Sequence, residues 1–357
     1  EPDFGAITAS TLHVPLDLSY EVDLWGRVRR GFESAQADAA ASVAAFHNVS
    51  LTLQADVAQN YFALRALDAE IAVVNRTIAL RTEQVGIVSN RFDSGLGTEL
   101  DVARAGTELA TAEAELATLR LRRVELENAI AILVGEAPAD FRIEPATDGL
   151  GDGSAKTPVI PAGLPSDLLE RRPDIAEAER QLAAENARIG IAKAAFFPVV
   201  RLTGSGGFLS ADVESLFNWE SRVWSIGPSL SLPLFAGGRN KAGLERARAR
   251  YEESVARYRQ RVLVAFGEVE NALAGIHLLG EQAAAQERAL QQARRARDLA
   301  LEGFNVGITG YLDVIDADRA ALQNQRASLQ LEGQRFIATV QLIKTLGGGW
   351  EANPNDG

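Results

Sequence analysis

A shift of 212 positions lays one half of this chain onto the other. Phe92 falls on Phe304, Gly95 on Gly307, and Leu100-Asp101-Val102 on Leu312-Asp313-Val314. The same shift carries Gly26-Arg27 onto Gly238-Arg239 and Gly135 onto Gly347. An offset that holds over so long a stretch marks tandem copies of one unit, which constrains the fold before any local pattern is read. The copies are read as 1–135 and 166–350, with a linker or equatorial segment at 136–165 and a disordered tail at 351–357. Copy two opens with a helix and a strand, over 166–208, that have no counterpart in copy one. Roughly 50–60 residues of the first copy are therefore expected upstream of position 1.

Within each copy the hydrophobic period changes from two to helical. Residues 14–25 alternate, with Val14, Leu16, Leu18, Tyr20, Val22 and Leu24 on one side and Asp17, Ser19, Glu21 and Asp23 on the other. Residues 224–234 and 199–208 do the same, which predicts three strands, each apolar on one face and polar on the other. Each has about the 9–11 residues that a tilted strand needs to cross a bilayer. A half-buried strand in a soluble sandwich would show the same pattern. After Arg27 a heptad seam begins: Leu64, Leu67, Ile71, Val74, Ile78, Val85, Val88 and Phe92, with Arg81 filling the one slot that breaks the row. No proline interrupts 27–92, so one helix of about 100 Å is allowed at 1.5 Å per residue. Tyr251, Val255, Tyr258, Val262, Phe266, Val269, Leu273 and Ile276 repeat the pattern with one stutter. Shorter return helices are predicted at 98–134 and 310–346, capped by Thr98 and by Thr309 or Asp313. Five prolines crowd 136–165, and Ser166 is placed as the cap of a helix running to Ala195.

Composition closes off several classes of function. A net charge of −12 argues against nucleic acid, whose phosphates require a basic face. The chain has no cysteine, hence no thiol nucleophile and no disulfide framework. His13, His47 and His277 stand apart, without the spacing of metal ligands, and no metal or cofactor is expected. Gly204-Ser205-Gly206-Gly207 precedes no helix, and Gly347-Gly348-Gly349 lacks the Lys-Ser/Thr of a phosphate loop. An enzyme is not indicated. No run of 18 or more apolar residues occurs, which excludes a membrane-crossing helix but leaves a membrane β-structure open.

Several stretches resemble one family, the outer-membrane channel subunits of tripartite efflux pumps, in the branch paired with resistance-nodulation-division transporters. They are Gly163-Leu164-Pro165-Ser166-Asp167-Leu168-Leu169, Arg171-Arg172-Pro173-Asp174-Ile175, Ala194-Ala195-Phe196-Phe197-Pro198 and Gly227-Pro228-Ser229-Leu230-Ser231-Leu232-Pro233-Leu234-Phe235. Tyr311-Leu312-Asp313-Val314, the closing Leu346-Gly347-Gly348-Gly349-Trp350 and Tyr20-Glu21-Val22-Asp23-Leu24-Trp25-Gly26-Arg27 complete the set.

The resemblance implies a mainly helical chain with some β-structure. Long antiparallel coiled-coil hairpins form a periplasmic tunnel, and amphipathic strands join a twelve-stranded outer-membrane barrel shared by a homotrimer. It implies a passive efflux duct, a periplasmic adaptor and an inner-membrane transporter as partners, and, in many members, a lipidated N-terminal cysteine that this sequence does not contain. Under it, Asp313, Asp316 and Arg319, with Asp101 and Arg104 in the first copy, form the periplasmic gate. Gly95, Leu96, Gly97, Val306, Gly307 and Ile308 form the adaptor-docking tip, and Leu18, Tyr20, Ile226 and Leu230 face lipid. The alternatives are the outer component of a type I protein-secretion system and, in a different class, a periplasmic coiled-coil adaptor with no pore.

Overall fold

A computed structural model describes residues 10–146 and 171–348. In chain order the elements are β1 (Leu12–Val22), α1 (Arg27–Asp93), α2 (Glu99–Val134), α3 (Pro173–Ala194), β2 (Val199–Ser210), β3 (Arg222–Ser231), α4 (Arg239–Asn305) and α5 (Tyr311–Thr345). Helices α1 and α4 are each 67 residues long, with both ends related by the 212-residue shift. The shift also appears in the backbone at six glycines. Gly26 and Gly238 have φ of 77° and 82°, Gly95 and Gly307 75° and 77°, Gly135 and Gly347 80° and 94°. These are left-handed conformations that a Cβ disfavours, and they punctuate the helices at equivalent places.

Contacts divide the chain into two compact units that do not coincide with the sequence copies. Among described residues, one unit contains 10–44 and 175–261, the other 45–146, 171–174 and 262–348. Each draws on both copies.

The first unit holds an antiparallel sheet in the order β1-β2-β3. Leu18 pairs with Gly204, which pairs with Ile226, and Val22 pairs with Val200, which pairs with Leu230. The strands end earlier than alternation suggests. After Val22, Asp23 turns away, and its carboxylate accepts from the amides of Val28 and Arg29 at 3.0 and 2.9 Å. That capping draws Leu24 and Trp25 out of the strand. At the end of β3, Leu232 and Leu234 flank Pro233, which lacks the amide donor that would continue a ladder.

In the second unit the seam packs as its spacing predicts. Leu67 and Val74 meet Leu116 and Leu119 of α2 in one cluster, while Val88, Ala105, Tyr311, Val314 and Ile315 form another. Phe92, last in the row, is exposed. Thr98 caps α2, its hydroxyl accepting from the amide of Asp101 at 3.2 Å. The cap of α5 is neither expected residue but Gly310. Asp313 reaches back to accept from the Gly310 amide at 3.0 Å, and Thr309 donates instead to the carbonyl of Ala300.

The helix expected from Ser166 to Ala195 is described from Arg171 onward, with a break at Arg172. Its start lies outside the described residues, as do most of the linker, Gly349-Trp350 and the tail. The described helix α3 begins at Pro173, where a missing amide costs nothing, and Arg172 stands just before it. Arg172 is buried and donates to both carboxylate oxygens of Asp174 (3.0 and 2.8 Å), to the Thr345 carbonyl (3.0 Å) and to Glu268 (2.7 Å). The exclusion of a spanning helix needs one correction. A window of α4 reaches a mean hydropathy of 1.4, long and apolar enough by composition alone. That stretch includes Glu268, which Arg172 holds, so an ion pair would have to enter the hydrocarbon with it.

Candidate functional site

Two surfaces stand out, each within one unit. The first is the sheet. Its register places Leu12, Val14, Leu16, Leu18, Tyr20 and Val22 on the same face as Val200, Leu202 and Phe208 and as Trp224, Ile226 and Leu230. The opposite face carries Asp17, Ser19, Glu21, Arg201, Thr203, Ser205, Ser225, Ser229 and Ser231. Apart from Phe208, which meets Phe217 at 5.4 Å, most of the apolar face is left uncovered by the other described residues. Leu18 is 72% exposed, Tyr20 63%, and Ile226 and Leu230 70% each. Two edges, β1 and β3, are hydrogen-bonded on one side only among the described residues.

The second surface comprises the two hairpin ends of the larger unit, α1–α2 and α4–α5. Both turns are built alike. Gly95 donates to the carbonyl of Phe92 at 2.9 Å and Leu96 to that of Arg91 at 2.8 Å; Gly307 donates to Phe304 at 3.1 Å and Ile308 to Gly303 at 2.8 Å. This is the closure that satisfies the last carbonyls of a helix, and its hydrophobic residue normally folds back onto the helix. Here Leu96, Val306 and Ile308 instead remain largely exposed. A Cβ on Gly97 would come within 3.2 Å of the Phe92 nitrogen, so this glycine is held by close approach. Arg91 lies over the Phe304 ring at 4.5 Å, and Phe304 meets Tyr311 at 5.4 Å, tying one hairpin to the other.

Just inside the tips lies a layer of charge. Asp313 and Asp316 are both exposed on α5, Asp313 engaged as the N-terminal acceptor described above. Asp101 is its counterpart on α2, accepting from the Thr98 hydroxyl at 2.7 Å with Arg104 at 3.9 Å. Arg319 lies 3.9 Å from Asp316, but its stronger partner is Glu108 on α2, reached through Nε at 3.0 Å and again through Nη2. That bond holds the Arg319 guanidinium above its ordinary pKa. Glu108 is buried and also contacts Arg81 of α1 at 3.2 Å. Arg81, 5% exposed, donates further to the Glu108 carbonyl at 2.7 Å and to Asp318 at 3.2 Å. Burial first, then the nearby Asp318 and Glu108, raises the Tyr311 phenol above its usual value, so it stays neutral. The structure thus brings Arg319 to Glu108 more firmly than to Asp316, and adds Arg81, Glu108 and Asp318 to the residues that sequence reasoning singled out.

Comparison with known proteins gives matches over nearly the whole chain. A family model described as "Outer membrane efflux protein" matches residues 5–136 and 164–348. The chain is 36% identical over 349 residues to the solvent efflux pump outer membrane protein SrpC of Pseudomonas putida, covering 97% of this chain and 73% of that one. It is 37% identical over 344 residues to outer membrane protein OprJ of Pseudomonas aeruginosa, covering 96% and 71%. Among solved structures, the open state of the MtrE outer membrane channel of Neisseria gonorrhoeae aligns with a TM-score of 0.87 at 33% identity, over 98% of this chain and 78% of that one.

Proposed function

The chain belongs to the outer membrane efflux protein family, and we propose from that premise how it conducts. It is the outer-membrane exit duct of a tripartite efflux system, anchored by strands in the outer membrane and extending into the periplasm through its helices. The observation that carries this reading is the sheet, one face of which is mostly apolar and exposed while the other is mostly polar. Lipid outside and water inside suit such a sheet. Three strands cannot close a barrel, and unpaired edges in hydrocarbon cost several kcal/mol per group. Trimer formation, as in the family, supplies the missing neighbours. The protein performs no catalytic step; solute passes down a gradient that an inner-membrane transporter maintains.

A periplasmic adaptor engages the hairpin tips, at Gly95-Leu96-Gly97 and Val306-Gly307-Ile308. The exposed apolar side chains there support this reading, because nothing among the described residues takes them up. Asp313, Asp316 and Arg319, with Asp101 and Arg104, stand at the periplasmic gate, and the two sequence copies contribute unequally to it. Copy one places Arg104 where copy two has Asp316.

The duct reading is tested by expressing the full-length protein, with its adaptor and transporter, in a Gram-negative cell that lacks its own outer-membrane channel. Exclusion of ethidium should return to the level of a channel-positive cell. Restored protein secretion without dye exclusion would instead identify a type I secretion component. The membrane placement has its own test. Single cysteines at Leu18, Tyr20, Ile226 or Leu230 should resist a charged thiol reagent in intact outer membranes, whereas those at Ser19, Ser229 or Ser231 should react. Equal labelling of the two groups would remove the lipid-facing assignment.

A further inference from the structure

We propose that a cleft between α3 and α4, in the unit that holds the sheet, binds the phosphodiester headgroup of a membrane phospholipid. The cleft has a volume of about 380 Å³. Arg239, Arg246 and Arg250 line it, at spacings of seven and four that place them along one face of α4. None of the three has an ion-pair partner among the described residues. Acids are not scarce, since the chain has 48 Asp and Glu against 36 Lys and Arg. Glu185 is the acid in the wall; one of its oxygens is held by Arg188, which also binds Asp38 at 2.6 Å, and its other oxygen is buried without a hydrogen-bond partner among the described residues, within reach of an arginine drawn in by a ligand. Ile191, Ala192 and Ala247 give the cleft an apolar side.

The sequence repeat shows what is different here. Arg239 is the counterpart of Arg27. In the first copy Glu21 accepts from Arg27 at 2.7 and 2.5 Å, with Asp23 two residues further on. The same shift turns those acids into Pro233 and Phe235. The second copy keeps the arginine without either carboxylate, then adds Arg246 and Arg250 beside it. A guanidinium presents parallel donors that match two phosphate oxygens, and its weak hydration makes the exchange of water for phosphate cheap.

The cleft's place along the chain selects a lipid as the source of that phosphate. Arg239 opens α4 shortly after β3 ends, and between them Leu234 and Phe235 are almost wholly exposed. On the α3 side, Ala195 leads through Phe196-Phe197 into β2, and Trp25 stacks on Phe197 at 4.6 Å while donating to the Pro198 carbonyl at 2.8 Å. Apolar strand face, then aromatic side chains, then arginines is the order found across a bilayer's boundary with water. This choice rests on the sheet lying in the outer membrane. A headgroup with the first carbons of its glycerol and acyl chains would satisfy the arginines and the apolar side together.

The test uses the full-length trimer in detergent, delipidated and then supplied with phosphatidylglycerol. A rise in unfolding temperature of several degrees is expected, and the double variant Arg246→Gln/Arg250→Gln should lose it while unfolding normally in detergent alone. Lys241→Ala, which removes a neighbouring basic residue already paired with Glu245 at 4.0 Å, should keep the full rise. If the double variant does not assemble, Arg239→Gln alone must reduce the rise. An undiminished rise in these variants overturns the cleft, and an equal rise with inorganic phosphate overturns the lipid source. Protein absent from the outer-membrane fraction would count against the membrane reading itself; protein present there but indifferent to phosphatidylglycerol would count against the cleft alone.

Discussion

Glu108→Gln is expected to raise the resting conductance of the trimer severalfold in a planar bilayer, with the trimer still assembled. Glu108 is one point at which the two hairpins of one chain are tied: its carboxylate lies between Arg81 of α1 and Arg319 of α5. Neutralising it leaves Arg81 with Asp318 and the backbone carbonyl of residue 108, and Arg319 with Asp316 at 3.9 Å. Removing one partner of a buried pair costs ~3–5 kcal/mol. Glutamine keeps the shape and one acceptor, and the Arg319 side chain is more than half exposed. About 2 kcal/mol is the fitting scale here. That is enough to loosen the first turns of α5 without unfolding helices whose apolar seams are untouched. Asp316→Asn should behave differently. Asp316 is exposed and makes only the longer contact, so resting conductance should change little. If its three copies ring a narrow opening, two carboxylates ~6 Å apart repel by roughly 3 kcal/mol at an effective dielectric near 20 and invite a counter-cation. Block by divalent or trivalent cations from the periplasmic side should therefore weaken in Asp316→Asn and persist in Glu108→Gln. The reverse pattern would place the latch at Asp316 and leave Glu108 a packing residue.

The helices, their ends and the alternation of the strands are legible in the sequence because each is local. Period two, a heptad seam and a glycine that must take positive φ leave their mark within a few residues. Arg81 shows where such reading stops. Its place in the seam indicates burial, but its acceptor Asp318 lies 237 positions away on another helix, and no local pattern points there. The contact with Glu108 does leave a local signal. The buried row of α2 runs Ala105, Glu108, Ala112, Leu116, Leu119, so Glu108 breaks its seam as Arg81 breaks that of α1. The two stand at nearly equal distances from the turn at Gly95, and an antiparallel hairpin sets such positions opposite each other. Arg319 lacks that signal, because Asp316 one turn away is the nearer candidate in sequence, and tertiary packing decides for Glu108. The strand ends depart from the alternation for a similar reason. Leu24 and Leu234 continue the alternation, but capping by Asp23 and the missing amide of Pro233 end the ladders first.

Tryptophan at Gly307, or at Gly95, is expected to reduce efflux to that of a cell without the channel, while alanine at the same position leaves most of it. The contrast follows from the geometry of the turns. Neither glycine has an atom within 4 Å of where a Cβ would stand, so a methyl group meets no clash. Its cost is the left-handed backbone, with φ of 75° and 77°, at about 1 kcal/mol. A turn closed by two backbone hydrogen bonds and flanked by capped helices should tolerate that. Tryptophan adds the same backbone cost but projects a ring into the space beside Leu96 or Ile308, where an adaptor must seat if these side chains form its contact. The trimer should still reach the outer membrane, since the sheet belongs to the other compact unit. Loss of efflux with both substitutions would mean that the turn conformation itself is what the partner needs. Efflux retained with tryptophan at both turns would place the adaptor elsewhere on the helices.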